Sequence, residues 1–344
     1  MIIKHLKQDI GSLIFSKIPV SVLGKLTRTN LIIPYYHLVS NEDVLHVKHL
    51  YSYKNVNQFI NDLDFIIKNY VPVTLNDVLD FIKNGRSFPR RSFLLTFDDG
   101  FREMYDVVAP ILIRKGIPAT FFINSGFIDN KELFYQHKAS ILKEHFQKTG
   151  SSNLKKEIKE MLQKSCKNDL DISSCVLSVK YHQKDILDKI ALLMNIDFND
   201  YLLKKQPYLN SCQIESLIKD GFTIGAHSID HPLYSSISLR DQLGQTLESI
   251  KQIRNRFCLD YGAFAFPHSD HKVSMEFFKE LYDSGVVDIS FGTAGMLNDS
   301  FPENFQRFSL EKPLLPAKDI VSYQLIRKLF KSITGNDKII RLDH

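Results

Sequence analysis

Short apolar runs alternate with helix-patterned stretches along most of this chain, and that rhythm restricts the fold more than any other feature. LIIPYYHLV (31–39) precedes the periodic FINDLDFIIKNY (59–70), SFLLTFDDG (92–100) precedes VVAPILIRKG (107–116), and PATFFINSG (118–126) continues the series. The pattern returns with IESLIKDG before FTIGAHS (214–228) and with FAFPHSD before MEFFKELYDSG (264–285). Apolar strands separated by amphipathic helices predict a parallel sheet, either an α/β barrel or a doubly wound sheet.

The rhythm stops between 131 and 206, where lysine-rich stretches such as ILKEHFQKTG and LKKEIKEMLQKS take over. That texture predicts a helical insertion, a lid or side lobe on the main domain. With 344 residues there is ample chain for one large core or two ordinary ones. Lys and Arg exceed Asp and Glu by only 44 to 39, with no basic stripe, so nucleic acid is not an expected partner. Cys166, Cys175, Cys212 and Cys258 show no C-x-x-C spacing, and their expected state is four reduced thiols in a cytoplasmic protein. Residues 1–30 mix lysines with short apolar runs. They are too interrupted for a signal peptide or a membrane span, and they read as a basic amphipathic segment packed on its own domain, with loose contact to the inner membrane surface as the alternative.

Two groups of residues carry chemistry. Asp98 and Asp99 end an apolar run, Phe93 to Phe97, and are followed by Gly100. Two side-by-side carboxylates at the end of a buried strand repel each other and resist desolvation, so they favour a nearby cation or solvent. His227 and His231 lie four apart just beyond another apolar run, a spacing that turns both imidazoles to one side. In α/β folds such strand ends gather ligands. One aspartate with both histidines makes a two-nitrogen, one-oxygen set with an open position, the pattern of a catalytic zinc. The second aspartate is then placed to act as a base.

At these residues the chain resembles the NodB-type polysaccharide deacetylases, metal-dependent hydrolases that remove acetyl groups from sugars. TFDDG (96–100) and HSIDH (227–231) match that family's first two motifs in full. Asp99 and His227 are 128 residues apart, and excising the 76 residues of 131–206 leaves 52, a normal separation for the barrel. The resemblance implies an irregular (β/α) barrel over 31–312 with the insertion at 131–206, flanked by the N-terminal segment and a basic C-terminal tail at 313–344. It further implies Asp98 as the base, with Asp99, His227 and His231 as ligands of a divalent metal, most simply zinc. The substrate it implies is an N-acetylated glycan or lipid-linked sugar.

Two family features depart from the pattern. Ala265, Phe266, Pro267 and His268 stand where many members have R-x-P-Y, which leaves the base without its usual arginine. Arg307 in NFQRFSLEK is the candidate to approach Asp98, while the backbone N–H of His268 can still serve as the oxyanion donor. No leucine-histidine motif for a general acid is recognisable; RLDH (341–344) sits at an end expected to fray. His37, His268 and His271 are the candidates for that role. A barrel that kept its metal and sugar cleft but lost turnover is the alternative.

Overall fold

The protein is described by a computed structural model over residues 18–89, 91–148, 152–162 and 171–343. Eight short parallel strands form its main sheet: β1 (Pro34–Tyr36), β2 (Leu95–Phe97), β3 (Ala119–Ile123), β4 (Thr223–Ala226), β5 (Ala263–Ala265), β6 (Ile289–Gly292), β7 (Asn304–Gln306) and β8 (Phe308–Ser309). Their order is β7-β6-β5-β4-β3-β2-β1-β8. The edge strands β7 and β8 are separated in the chain only by Arg307. One pairs with β6 and the other with β1, so the sheet curls into a nearly closed barrel with Arg307 at its seam.

The aromatic and β-branched residues of these strands are buried on both faces, as parallel strands flanked by helices require. Phe97 stacks on Tyr36 at 5.7 Å between centroids, outside the barrel and under the helix Val56–Asn69, which a reciprocal Asn55–Gln58 capping box starts. Truncating Phe97 to alanine would cost about 3–5 kcal/mol. Inside, Phe122 and Phe291 meet at 5.2 Å. Gly225 makes room for them, since a Cβ there would lie 2.4 Å from the Phe122 ring.

Between 131 and 206 the elements include helices Tyr135–Lys148, Ser152–Met161, Ile172–Leu177, Asp185–Leu193 and Phe198–Lys205, with no strand among the described residues. They share an apolar cluster of their own, including Leu142, Ile158, Val176 and Leu187. The loop after β1 joins this lobe: Val44 and Val47 enter its cluster, Ser140 Oγ donates to Leu45 O at 2.8 Å, and His49 Nε2 lies 2.9 Å from Glu144.

Three expectations need comment. Residues 313–343 do not form a loose tail: the helix Ala317–Ile333 buries Ile320, Val321 and Leu325 in the main core, and Lys338–Ile339 pairs with Asn298–Asp299. Arg341 is buried against Asp270 and Asp299, which anchors the end of the chain by charge as well as packing. Cys175 is disulfide-bonded while Cys212 and Cys258 are free, so four reduced thiols is incorrect; Cys166 lies outside the described residues. Most of the N-terminal segment, 1–17, also lies outside them. No helix among the described residues is long and apolar enough to cross a membrane.

Candidate active site

Strand geometry separates the two adjacent aspartates. Thr96 and Asp98 share the inward face of the β2 end, in keeping with the two-residue repeat of a strand. At Asp99 the backbone turns into the left-handed region (φ 75°), and Gly100 continues it (φ 67°), so the second carboxylate leaves in another direction.

Asp98 meets Arg307. Nη1 donates to Oδ1 at 2.7 Å and Nη2 to Oδ2 at 2.8 Å, a bidentate pair, while Nη1 also donates to Thr96 Oγ1 at 3.1 Å. The guanidinium is completely buried, 4.8 Å from the Tyr35 ring centre and 5.3 Å from that of Phe122. Burial opposes ionisation of Asp98, but the charge and hydrogen bonds of Arg307, with contributions from His227 and His37, together outweigh it and hold the carboxyl below its ordinary pKa.

Asp99 meets the histidines. Its Oδ1 lies 3.1 Å from His231 Nε2 and 3.5 Å from His227 Nε2. No donor is aimed at that oxygen, which is buried without a hydrogen bond. His227 Nδ1 lies 2.8 Å from the Ala265 carbonyl; that oxygen can only accept, which assigns the proton to Nδ1 and leaves the Nε2 lone pair facing Asp99. The three side chains are buried and offer ligand atoms within 4.8 Å of one another. Ligand atoms 2.0–2.2 Å from a tetrahedral zinc stand roughly 3.4 Å apart. The donor types, the spacing and the orphaned carboxylate oxygen fit a divalent cation.

His268 is exposed, with its ring 4.5 Å from that of His231, and its backbone is left-handed (φ 57°). The site therefore gathers Asp98, Asp99, His227, His231, Arg307 and His268. His271 is exposed, and its backbone N–H donates to Ser269 Oγ at 3.0 Å; no contact draws it into the cluster.

His37 follows β1, and the register of Tyr36 with Phe97 sets it beside Asp98. Its Nδ1 forms a short hydrogen-bonded ion pair with Glu311, whose Oε1 also accepts the backbone N–H groups of His37 at 2.6 Å and Leu38 at 2.8 Å. Burial favours the neutral ring, yet the Glu311 carboxylate overrides it and lifts the His37 pKa to about 10. Glu311 was not singled out in the sequence. The only local signal was its place just after β8, the strand that directly follows Arg307.

Comparison with known proteins supports the barrel fold. A family model described as polysaccharide deacetylase matches residues 85–168. The poly-beta-1,6-N-acetyl-D-glucosamine N-deacetylase of Staphylococcus aureus (strain MRSA252) is 33% identical over 104 residues, covering 27% of this chain and only 36% of that protein. Two solved structures share the fold. The Streptococcus pyogenes deacetylase PplD, in complex with acetate, has a TM-score of 0.55 at 12% identity, covering 86% of this chain and 97% of its own. IcaB from Ammonifex degensii has 0.51 at 15%, with the same coverage. Fold and strand-end residues together define a NodB-type (β/α) barrel. The chain is thus similar to polysaccharide deacetylases over residues 85–168 and shares the barrel fold of PplD and IcaB.

Proposed function

We propose that the protein is a metal-dependent deacetylase that hydrolyses N-acetyl groups on a glycan containing N-acetylhexosamine. The observation that carries this reading is the separation of neighbouring carboxylates, Asp98 to a buried arginine and Asp99 to two histidines. The substrate class is taken from the Staphylococcus aureus relative, whose name specifies N-acetylglucosamine.

In this reading Asp99, His227 and His231 hold zinc, which when bound supplies a Lewis acid for the acetyl carbonyl and acidifies water. Arg307 keeps Asp98 ionised and oriented, so that Asp98 can take a proton from the attacking water. The His268 N–H is assigned to the developing oxyanion. His37, kept protonated by Glu311, supplies the proton that the departing amine needs. The non-catalytic alternative was motivated by a missing arginine and acid; Arg307 on Asp98 and His37 on Glu311 favour turnover instead.

We assign the 131–206 lobe the role of shaping substrate access. The Cys175 disulfide favours an oxidising compartment over the cytoplasmic expectation. The test is metal analysis of the purified protein together with acetate release from poly-N-acetylglucosamine, an O-acetylated glycan and a lipid-linked N-acetylated sugar. Metal near one equivalent with release from the first supports the proposal. Metal without release from any of them returns the binding module.

A further inference from the structure

His227 and His231 are held in unlike ways. The His227 ring is fixed by its bond to the Ala265 carbonyl, whereas His231 Nδ1 is buried with no hydrogen-bond partner. Metal-ligating histidines ordinarily use that second nitrogen to fix their aim. The aim of His231 therefore depends on its backbone and packing. That backbone is left-handed at both Ser228 (φ 67°) and His231 (φ 63°), conformations that persist in non-glycine residues only when the surroundings enforce them.

Part of the enforcement comes from the barrel. Ser125 N and Gly126 N donate to Ser228 O and Ile229 O at 3.1 and 3.0 Å, and Gln245 Oε1 accepts from Ile229 N at 2.9 Å. Within the loop His231 N donates to Ser228 Oγ at 3.0 Å, and further support comes from the lobe. Asp230 accepts the Tyr181 hydroxyl at 2.8 Å on each carboxylate oxygen and Lys184 Nζ at 2.6 Å, with Gln245 Nε2 completing the set at 2.8 Å. Phe134, also within 131–206, packs edge-on against the His231 ring at 4.7 Å. Two separate contacts thus run from the lobe to the loop that carries His231, one to Asp230 and one to the His231 ring.

We propose that Tyr181 and Lys184 are positioning residues: by clasping Asp230 they set the aim of His231, so that seating of the lobe and competence of the metal site are one equilibrium. This rests on the metal-site reading above. A substrate that seats the lobe would tighten the site, and an undocked lobe would loosen it.

The test uses the full chain and zinc itself. Zinc affinity, measured by competition with a chelating dye, is compared among wild type, Tyr181→Phe, Lys184→Arg, the double variant Tyr181→Phe/Lys184→Met, and Lys138→Met as a control. Lys138 pairs with Asp188 inside the lobe and does not touch the metal loop. The double variant is expected to lose about ten- to a hundred-fold in affinity, the range for losing a partner that orients a ligand. Tyr181→Phe should lose a smaller factor, Lys184→Arg should keep most of the wild-type value, and the control should not change. Unchanged affinity in the double variant, or an equal loss in Lys138→Met, overturns the clasp. Should the double variant not fold, unchanged affinity in Tyr181→Phe is the overturning result. Wild type without zinc affinity would instead bring down the metal reading itself, which keeps the two failures apart.

Discussion

The two sides of the cleft solve the same problem differently. On the β2 and β7–β8 side, a buried carboxylate meets a buried guanidinium in a two-point pair, and the charge is neutralised within the protein. On the β2 and β4 side, a buried carboxylate oxygen faces two imidazole nitrogens with no proton aimed at it. The first half is complete without any cofactor. The second has the donor types and spacing of a cation site. Neighbouring residues of identical chemistry can therefore take unlike roles, because the backbone turns between them and distant strands supply their partners.

This contrast can be broken most forcefully at Arg307. Arg307→Met leaves Asp98 buried without its partner, and uncompensated buried charges cost about 3–5 kcal/mol. Denaturant unfolding without metal should show that loss at neutral pH. Because Asp98 is held below its ordinary pKa, its contribution exists above the ordinary carboxylate range and disappears as pH falls through the folded value. The variant and wild type should therefore converge in acid. Equal stability at neutral pH would mean that the pair contributes nothing.

On the other side, zinc should stabilise the wild type against heat and His227→Ala hardly at all. Ligand at 100 times its dissociation constant adds about 2.7 kcal/mol to a protein that binds it only when folded. An equal zinc-induced rise in melting temperature in both proteins would contradict the ligand assignment. A smaller effect concerns His37. With a pKa near 10 it stays protonated through neutrality, so acetate release should keep its acid until the pH rises through about 10. Glu311→Gln removes the group that raises the value, and the alkaline limb should move down toward the ordinary imidazole value of about 6.5. An unmoved limb would exclude His37 as the titrating acid.

The barrel was legible in the sequence because strands buried on both faces read as apolar runs, and TFDDG and HSIDH are local words with fixed spacing. Arg307 was reachable as a candidate, but its seam position was not: it depends on β7 and β8 splitting one extended stretch between β6 and β1, whose paired residues Ser290 and Pro34 are 256 positions apart in the chain. Glu311 was missed because its partner, His37, is 274 positions away. The anchoring of Arg341 was hidden for the same reason, since a short basic end looks frayed until Asp270 and Asp299 are brought to it. The lobe was visible as a change of composition, while its hold on Asp230 required the folded chain.

The central claim is that Asp98 and Asp99 divide the work, and metal content measured alongside acetate release tests it directly in Asp98→Asn and Asp99→Asn. The expected result is a normal zinc equivalent in Asp98→Asn with a rate lowered on the order of a hundred- to ten-thousand-fold, the range for loss of general base catalysis. Asp99→Asn should lose zinc and activity together. Equal loss of zinc in both variants, or full acetate release from Asp98→Asn, would contradict the division.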